Sequence, residues 1–159
     1  MLRLSKKTDY ALMAMKHLAL QSAGSGAGAA SAREIAEHYD IPIELLAKIL
    51  QRLARRGLLT SHQGTRGGYS LARPATLISV ADVIQAVDGP LTVTACSVHD
   101  QGCGQYSKCN VRDPLWRIKD RILTSLAACS LDEIATDAPL AGVSGPELQP
   151  ITLSRRARE

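Results

Sequence analysis

The sequence lacks an apolar run long enough to cross a membrane. Its main hydrophobic stretch near the start, YALMAMKHLAL, is interrupted by Lys16 and His17 and falls well short of the roughly 20 residues that a membrane helix needs. No signal peptide is apparent either, so we expect a cytoplasmic protein with no membrane partner. Because the cytoplasm is reducing, cysteines clustered in such a chain more often bind metal or take part in redox chemistry than form structural disulfides.

The patterns typical of catalysis are also missing. The chain shows no nucleophile and base, no phosphate-binding loop and no pair of carboxylates at a meaningful spacing. The GTRGG segment at residues 64–68 is too short and wrongly placed to bind a nucleotide. We therefore expect neither an enzyme nor a protein with a small-molecule substrate.

Positive charge is concentrated in the first half of the chain. The 159 residues are 45% hydrophobic, which suits one globular domain of ordinary size or two small ones. Residues 1–73 contain eleven Lys and Arg against five Asp and Glu, whereas the remainder contains eight against ten. A basic first half beside a slightly acidic second half suggests an anionic partner, most often nucleic acid, for the first half alone.

The first half has the pattern of a helix-turn-helix. An apolar face at helical spacing predicts a helix over residues 5–22, and AGSGAGAA at 23–30 predicts a linker with no side chain able to pack. Ser31 and Glu34 form a capping box for a short helix that ends near Asp40. Pro42 is suited to the first position of a third helix that ends near Arg56.

A hairpin and a further helix are predicted next. LLTSHQGTRGGYSLA, residues 58–72, has β-compatible residues on either side of a glycine-rich tip, which is typical of the wing of a winged helix. Ser79 is a suitable cap for a fourth helix, which Gly89 and Pro90 end. We therefore expect a mainly α fold, a winged helix-turn-helix with a small β-hairpin wing.

In such a fold the second helix of the motif enters the major groove of double-stranded DNA, where each base pair displays a distinct set of donors and acceptors. Glu44 and Lys48, near the start of that helix, are predicted to meet base edges. Three arginines further along are predicted to hold phosphates: Arg52, Arg55 and Arg56. Arg66 at the hairpin tip is predicted to enter the minor groove. The alternative is a solvated helix end beside the negative end of the helix dipole.

The second half contains a cysteine-rich loop with the spacing Cys96-x6-Cys103-x5-Cys109. The loop has neither strand alternation nor a helical period, which indicates ligands rather than regular structure. Soft thiolates select iron–sulfur or zinc centres. Structural zinc sites usually have closer cysteine pairs, which these gaps do not provide, but zinc and a thiol redox switch remain alternatives.

A long helix is predicted after the loop, with Asp113 as its cap and Pro114 at its start. Its apolar stripe comprises Leu115, Ile118, Ile122, Leu126 and Cys129. No later segment is long enough to cover this stripe, so the same helix of a second subunit is the expected partner and the chain is a predicted homodimer. Residues 136–159, rich in Pro, Gly, Ser and Arg, are predicted to be a disordered tail.

Several segments resemble one family of bacterial transcription regulators, the IscR/NsrR/RirA family. They are LRLSKKTDYAL, LLAKILQRLARRGLLTSHQGTRGGYSLAR, SVADVIQAVDGP and the three cysteines before PLWRIKDRI, and together they span nearly all of residues 1–135. Within the family the chain is most similar to regulators of the iron–sulfur assembly operon. The resemblance implies a homodimer whose three cysteines bind an iron–sulfur cluster, with cluster status setting DNA affinity. We therefore expect three parts: a DNA-binding domain at 1–73, a sensor and dimerisation region at 74–135, and the tail at 136–159.

The fourth cluster ligand departs from the family pattern. The resemblance places a histidine three residues after the last cysteine, where this chain has Arg112, which cannot ligate a metal. Asp9, supplied by the other subunit, matches the aspartate of NsrR-like members and is the favoured fourth ligand. Asp113 and His99 are the other candidates, and the cluster is either 2Fe–2S or 4Fe–4S.

Together these features predict a DNA-binding transcription regulator, a repressor of iron–sulfur assembly genes that senses redox state through its cluster. Two other functions remain open. In the first, the cysteines form a zinc or thiol redox switch in the same DNA-binding protein, without an iron–sulfur cluster. In the second, the winged helix docks a protein partner and the chain acts as a cluster carrier or adaptor.

Overall fold

The computed structural model describes residues 4–24, 28–64, 67–92 and 103–136. Helix α1 runs from Lys6 to Ala23 and begins at Ser5, whose side chain accepts a hydrogen bond from the backbone N–H of Thr8 at 3.2 Å. The predicted first helix is thus confirmed to within a residue at each end. Its inward face is made of small and medium-sized apolar residues, namely Ala11, Ala14, Met15, Leu18 and Ala19.

The helix-turn-helix is formed by α2, Ala32–His38, and α3, Ile43–Arg55. The predicted capping box of Ser31 and Glu34 is present at the start of α2. Asp40 in the turn has a φ of 53°, in the left-handed region that Asp tolerates better than most residues. Pro42 lies one position before the predicted one, as the N-cap of α3.

The buried face of α3 is formed by the four predicted residues, Leu46, Ile49, Leu50 and Leu53. The helix ends where Gly57 adopts a φ of 73°. The N–H groups of Gly57 and Leu58 donate to the carbonyls of Ala54 and Leu53 at 2.9 and 3.0 Å. These two bonds make a Schellman motif, which satisfies carbonyls that have no partner within the helix.

The wing is the antiparallel pair of β1, Leu59–His62, and β2, Gly68–Leu71. A third segment joins it, because Ala30 and Tyr69 exchange two backbone hydrogen bonds of 3.0 and 2.8 Å. Ala30 is 1% exposed, so the prediction that residues 23–30 hold no side chain able to pack is wrong at this position. The backbone of Ala30 lies so close to Gly68 that position 68 has no room for a Cβ.

Gly68→Ala is expected to destabilise the protein by about 1–3 kcal/mol, the usual cost of forcing atoms into a packed site. A Cβ at position 68 would lie 2.5 Å from the carbonyl oxygen of Ala30 and 2.7 Å from its carbonyl carbon. Neither backbone atom can move without breaking the bridge to Tyr69. Urea unfolding measures the effect, and Gly104→Ala is the matched control because an added Cβ there meets nothing within 4 Å. Equal stabilities of the two variants would contradict this explanation.

Helix α4, Val80–Val87, starts with a capping box of Ser79 and Asp82 and follows a short 3-10 turn at Ala75–Leu77. The predicted inward residues Val80, Val83, Ile84 and Val87 are all buried. The helix ends at Asp88 and Gly89, and Gly89 has a φ of 87°.

Helix α5 spans Arg112–Ala128 and is followed by α6, Leu131–Ala135. The prediction that Asp113 caps α5 is wrong, because the helix begins at Arg112 and its N-cap Val111 makes no side-chain capping bond. Its predicted stripe ends one residue early, since Cys129 is the C-cap. No side chain of α5 is buried, whereas α6 buries Leu131 and Ala135.

The helices surround one hydrophobic core, and the predicted mainly α fold with a hairpin wing is confirmed. The core cluster contains residues of α1 to α4 and of α6. Helices α4 and α6, which lie beyond the domain boundary expected at residue 73, therefore pack into the same core as the helix-turn-helix. No helix in the described ranges is long and apolar enough to span a membrane.

Candidate functional site

The outer face of α3 is polar and exposed along its length. Glu44, Lys48, Gln51 and Arg55 are exposed, on the side opposite the buried leucines. Ile43, the first residue of the helix, is 41% exposed. The positions from which base edges would be read are thus open to solvent, as the helical period predicts.

Arg52 has a contact that the sequence does not reveal. Its Nε donates a 2.8 Å hydrogen bond to the carbonyl oxygen of Ala86, in the last turn of α4. The last four carbonyls of a helix have no partner within it, so an arginine there stabilises the helix end. Because this bond uses Nε alone and Arg52 is exposed, its interpretation as a phosphate contact stays a prediction, although the side chain also joins α3 to α4. Its partner lies 34 residues away in the chain, and no local pattern indicates it.

Arg55 and Arg56 are exposed at the end of α3. Both are open to solvent, which suits the predicted contact with phosphates. Arg66, the predicted minor-groove contact, lies outside the described residues. In the wing His62 pairs across the strands with Ser70, its Nε2 lying 2.7 Å from the serine Oγ.

Two of the three clustered cysteines, Cys103 and Cys109, lie within the described residues as free thiols. Cys103 is exposed and Cys109 is half-buried. A 3-10 turn at Tyr106–Lys108 joins them, and the N–H of Tyr106 donates to the carbonyl of Cys103 at 3.0 Å. Cys96 and His99 lie outside the described residues, and within the described part of the chain no group of three metal-ligating side chains is assembled.

Arg112 anchors this turn to the start of α5. Its guanidinium carbon lies 4.2 Å from the centre of the Tyr106 ring, and its Nη1 donates to the Tyr106 carbonyl at 3.4 Å. The same guanidinium lies 5.8 Å from the centre of the Trp116 ring. A cation over an aromatic face is attracted by the ring quadrupole. Arg112, which stands where the resemblance places a histidine, thus holds the turn against α5. The sequence excluded it as a ligand and did not predict this structural role.

Arg112 also holds Asp113, through a 2.8 Å hydrogen bond from Nε to Oδ1. This bond and the charge of Arg112 lower the pKa of Asp113, and the same hydrogen bond raises the pKa of Arg112. The charge of Cys109 contributes to the raised pKa of Arg112 as well. Asp113, already paired with Arg112, is the weaker candidate for a fourth ligand.

Asp9 has an exposed side chain in the first turn of α1. Its neighbour Thr8 is fully buried. The Oγ1 of Thr8 donates a 2.8 Å hydrogen bond to Asp88, just after α4. The turn that presents Asp9 is therefore held by the residue that ends α4.

Comparison with known proteins finds a family and relatives that are similar to this chain over most of its length. The family model named Rrf2, described as an iron-dependent transcriptional regulator, matches residues 4–137. A putative HTH-type transcriptional regulator of Mycobacterium tuberculosis is 36% identical over 146 residues, which cover 92% of this chain and 85% of the relative. The HTH-type transcriptional regulator IscR of Photorhabdus laumondii is 35% identical over 145 residues, 91% of this chain and 85% of IscR.

A similar fold has been solved in CymR, the global cysteine regulator of Bacillus subtilis. The two chains are 27% identical with a TM-score of 0.68, and the match covers 87% of this chain and 100% of CymR.

Proposed function

This chain belongs to the Rrf2 family of transcriptional regulators. From that premise we propose that its affinity for operator DNA is controlled by an iron–sulfur cluster. Its relatives are named as regulators of transcription rather than as enzymes, and it shares their winged-helix fold and their regulation of transcription through DNA binding. The observation that carries the gating proposal is the turn with Cys103 and Cys109, which Arg112 fastens to the first residues of α5.

In the proposed DNA complex α3 enters the major groove. Glu44 and Lys48 meet base edges from the start of the helix, and Arg55 and Arg56 hold phosphates at its end. Arg66 on the wing enters the adjacent minor groove. The exposure of the outer face of α3 supports this assignment.

The proposed regulator is a homodimer joined through α5. This helix has 17 residues and buries none of them within the described chain. Val111, just before it, and Ile118 are 53% and 46% exposed. A second copy of α5 would remove this apolar surface from water, as in a two-fold interface where the same patch meets itself. The two copies of α3 would then reach half-sites about 34 Å apart.

Cys96, Cys103 and Cys109 would hold the cluster, with Asp9 of the other subunit as the fourth ligand. The donors in the described residues fit such a group, because both thiols are free and soft sulfur ligands select iron–sulfur centres. When bound, the cluster, 2Fe–2S or 4Fe–4S, would supply a centre that oxidants can alter or remove. The regulator would then act as a repressor of iron–sulfur assembly genes whose hold on DNA follows the state of this centre.

A thiol switch is the second candidate. Cys103 is exposed, and the chain is similar to the global cysteine regulator CymR. In this case reversible oxidation of the loop cysteines, rather than an inorganic centre, would set the affinity for DNA. Zinc bound by the same thiolates is a third way to link the loop to DNA affinity.

Anaerobic purification tests the proposal directly. We expect visible absorption from an iron–sulfur chromophore, with iron and acid-labile sulfide present, and a change in affinity for the protein's own promoter region when the cluster is removed. Zinc in place of iron, or no metal and an affinity that responds to thiol oxidation, would contradict the cluster and favour the corresponding alternative. An affinity that is the same in every state would exclude gating by the loop.

A further inference from the structure

Helices α1 and α2 meet at a cluster of three aromatic rings. The ring centres of His17 on α1 and His38 on α2 lie 5.3 Å apart, and Tyr39 meets both rings edge-on at centre distances of 5.6 and 4.5 Å. The two histidines also line an open cavity, whose other lining residues are Ser31, Arg33, Glu34 and Glu37. A proton on His17 would therefore share this cavity with one imidazole, one arginine and two carboxylates, all of them from α2.

The side-chain amide of Gln21 fixes the protonation state of His17. Its Nε2 donates to Oε1 of Glu34 at 3.3 Å and lies 3.1 Å from Nε2 of His17. The carboxylate of Glu34 sets the orientation of the amide, because an amide oxygen in that place would face the carboxylate with no proton between them. An amide nitrogen only donates, so Nε2 of His17 must accept, as it does in a neutral imidazole with its proton on Nδ1. The observed arrangement therefore requires an uncharged His17.

Protonation of His17 would reverse the amide. A charged imidazole carries N–H groups on both ring nitrogens, so its Nε2 and the amide NH2 would meet as two donors. The oxygen of Gln21 is buried and has no hydrogen-bond partner among the described residues. Half a turn of the amide would bring this oxygen to the charged ring and would take the amide donor away from Glu34. The amide thus has two discrete arrangements, and the proton on His17 selects between them.

The surroundings of His17 favour its neutral form. Burial and then the charge of His38 lower the pKa of His17, and together they outweigh the charge of Glu34, which raises it. Because the folded protein holds this pKa below the ordinary 6.5, the neutral imidazole contributes stability that is complete above pH 6.5 and is lost as the pH falls further. Acidification therefore acts against the observed network.

Glu34 connects this network to the helix-turn-helix and the wing. Its Oε2 accepts a hydrogen bond from the backbone N–H of Ser31 at 3.4 Å and so closes the capping box of α2. Ser31 follows Ala30, which exchanges two backbone hydrogen bonds with Tyr69 of β2. A displacement of Glu34 would therefore act on the start of α2 and on the segment that joins the wing.

We propose that His17 is a pH-sensing residue whose protonation reverses the Gln21 amide, releases Glu34 from α1 and weakens the hold of the helix-turn-helix and wing on operator DNA. This input is separate from the proposed gating by the cysteine loop, because every residue in it belongs to α1, α2, the wing or the segments that join them. Coupling between two sites needs an element with two arrangements that both sites bias. The amide of Gln21 is that element.

The test compares operator dissociation constants at about pH 5.5 and about pH 7.5, on either side of the ordinary histidine pKa. Three full-length proteins are measured: wild type, His17→Gln and His62→Gln. The glutamine at position 17 supplies an acceptor for Gln21 but takes up no proton in this range. His62→Gln is the matched control, because it removes an exposed imidazole of the wing that pairs with Ser70, outside the network. Iron content and circular dichroism are recorded at both pH values.

We expect wild type to bind its promoter fragment at least about fivefold more weakly at the lower pH, and His17→Gln to change by less than about twofold. His62→Gln should keep at least the wild-type change, since a charged wing imidazole would strengthen binding. Nitrogen-15 spectra at the higher pH should show neutral His17 with its proton on Nδ1.

Three results would overturn the inference: a proton on Nε2 of neutral His17, no weakening of wild type at the lower pH, or an equal weakening in His17→Gln. Loss of a cluster in acid would weaken all three proteins alike, so it is distinguished from titration of His17. Failure of this inference leaves the gating proposal standing, because that proposal is tested by removal of the cluster at constant pH.

Discussion

Cys109→Ser is expected to weaken iron binding by at least roughly 10–100-fold. That is the usual cost of removing one residue that supports a metal ligand, and this substitution removes a ligand itself. A serine hydroxyl is a hard donor that stays protonated at neutral pH, so it does not replace a thiolate toward iron–sulfur centres. Cys109 is only half-buried, so the fold should be retained. Iron and acid-labile sulfide per chain after anaerobic purification measure the effect, with far-ultraviolet circular dichroism as the check on folding.

Cys129→Ser provides the matched control for this substitution. Cys129 is the C-cap of α5, and burial raises the pKa of its thiol, with a further contribution from the charge of Glu133. A thiol with a raised pKa is a poorer ligand, since the thiolate is the form that binds metal. The Cys129 variant should therefore retain its iron. Equal loss of iron from both variants would contradict the assignment of Cys109 as a ligand.

The double substitution Arg55→Gln and Arg56→Gln is expected to flatten the salt dependence of operator binding by about 3.6 in the slope of log affinity against log salt. Each phosphate that an arginine no longer neutralises lowers the slope by about 0.9, and a dimer presents each arginine twice. Both side chains are exposed at the end of α3, where they suit phosphates rather than bases. Fluorescence anisotropy with a labelled promoter fragment between roughly 50 and 200 mM salt measures the slope.

Arg52→Gln should behave differently from this pair. Its Nε is bound to the carbonyl of Ala86, so its loss should weaken binding through the position of α3, and an unchanged salt slope would assign the side chain that role alone. A slope that stays at the wild-type value in the double variant would contradict the phosphate assignment. A slope that flattens in Arg52→Gln would show that this arginine, too, contacts the backbone of DNA.

Those parts of the fold that depend on neighbouring residues could be predicted. The capping box of Ser31 and Glu34 spans three residues, and the buried face of α3 repeats every three or four. Gly57 ends α3 because a glycine adopts a positive φ at little cost. Signals of this range survive in a single sequence, since the interacting groups are close along the chain.

The contacts that connect these elements could not be predicted in the same way. Ala30 was interpreted as part of a linker, but it is buried where the backbone of Gly68 meets it. The sequence predicts a start of α5 two residues late, because it favours Asp113 as the cap, whereas the helix begins at Arg112 with no side-chain cap. The contact of Ala30 with Gly68 forms between residues that only folding brings together, and their residue types alone do not identify them as partners.

The sequence by itself determined the helices, the wing and the chemistry that the cysteines can perform, because caps, periodicity and ligand softness are properties of single residues and short segments. Only the tertiary structure decided that Arg52 holds α4 and that Asp88 holds the start of α1. The partners of these two side chains lie 34 and as many as 83 residues away. The physical reason is that a charged side chain on a helix surface looks the same in sequence whether it faces water, a phosphate or the end of another helix. Folding alone determines which of these it meets.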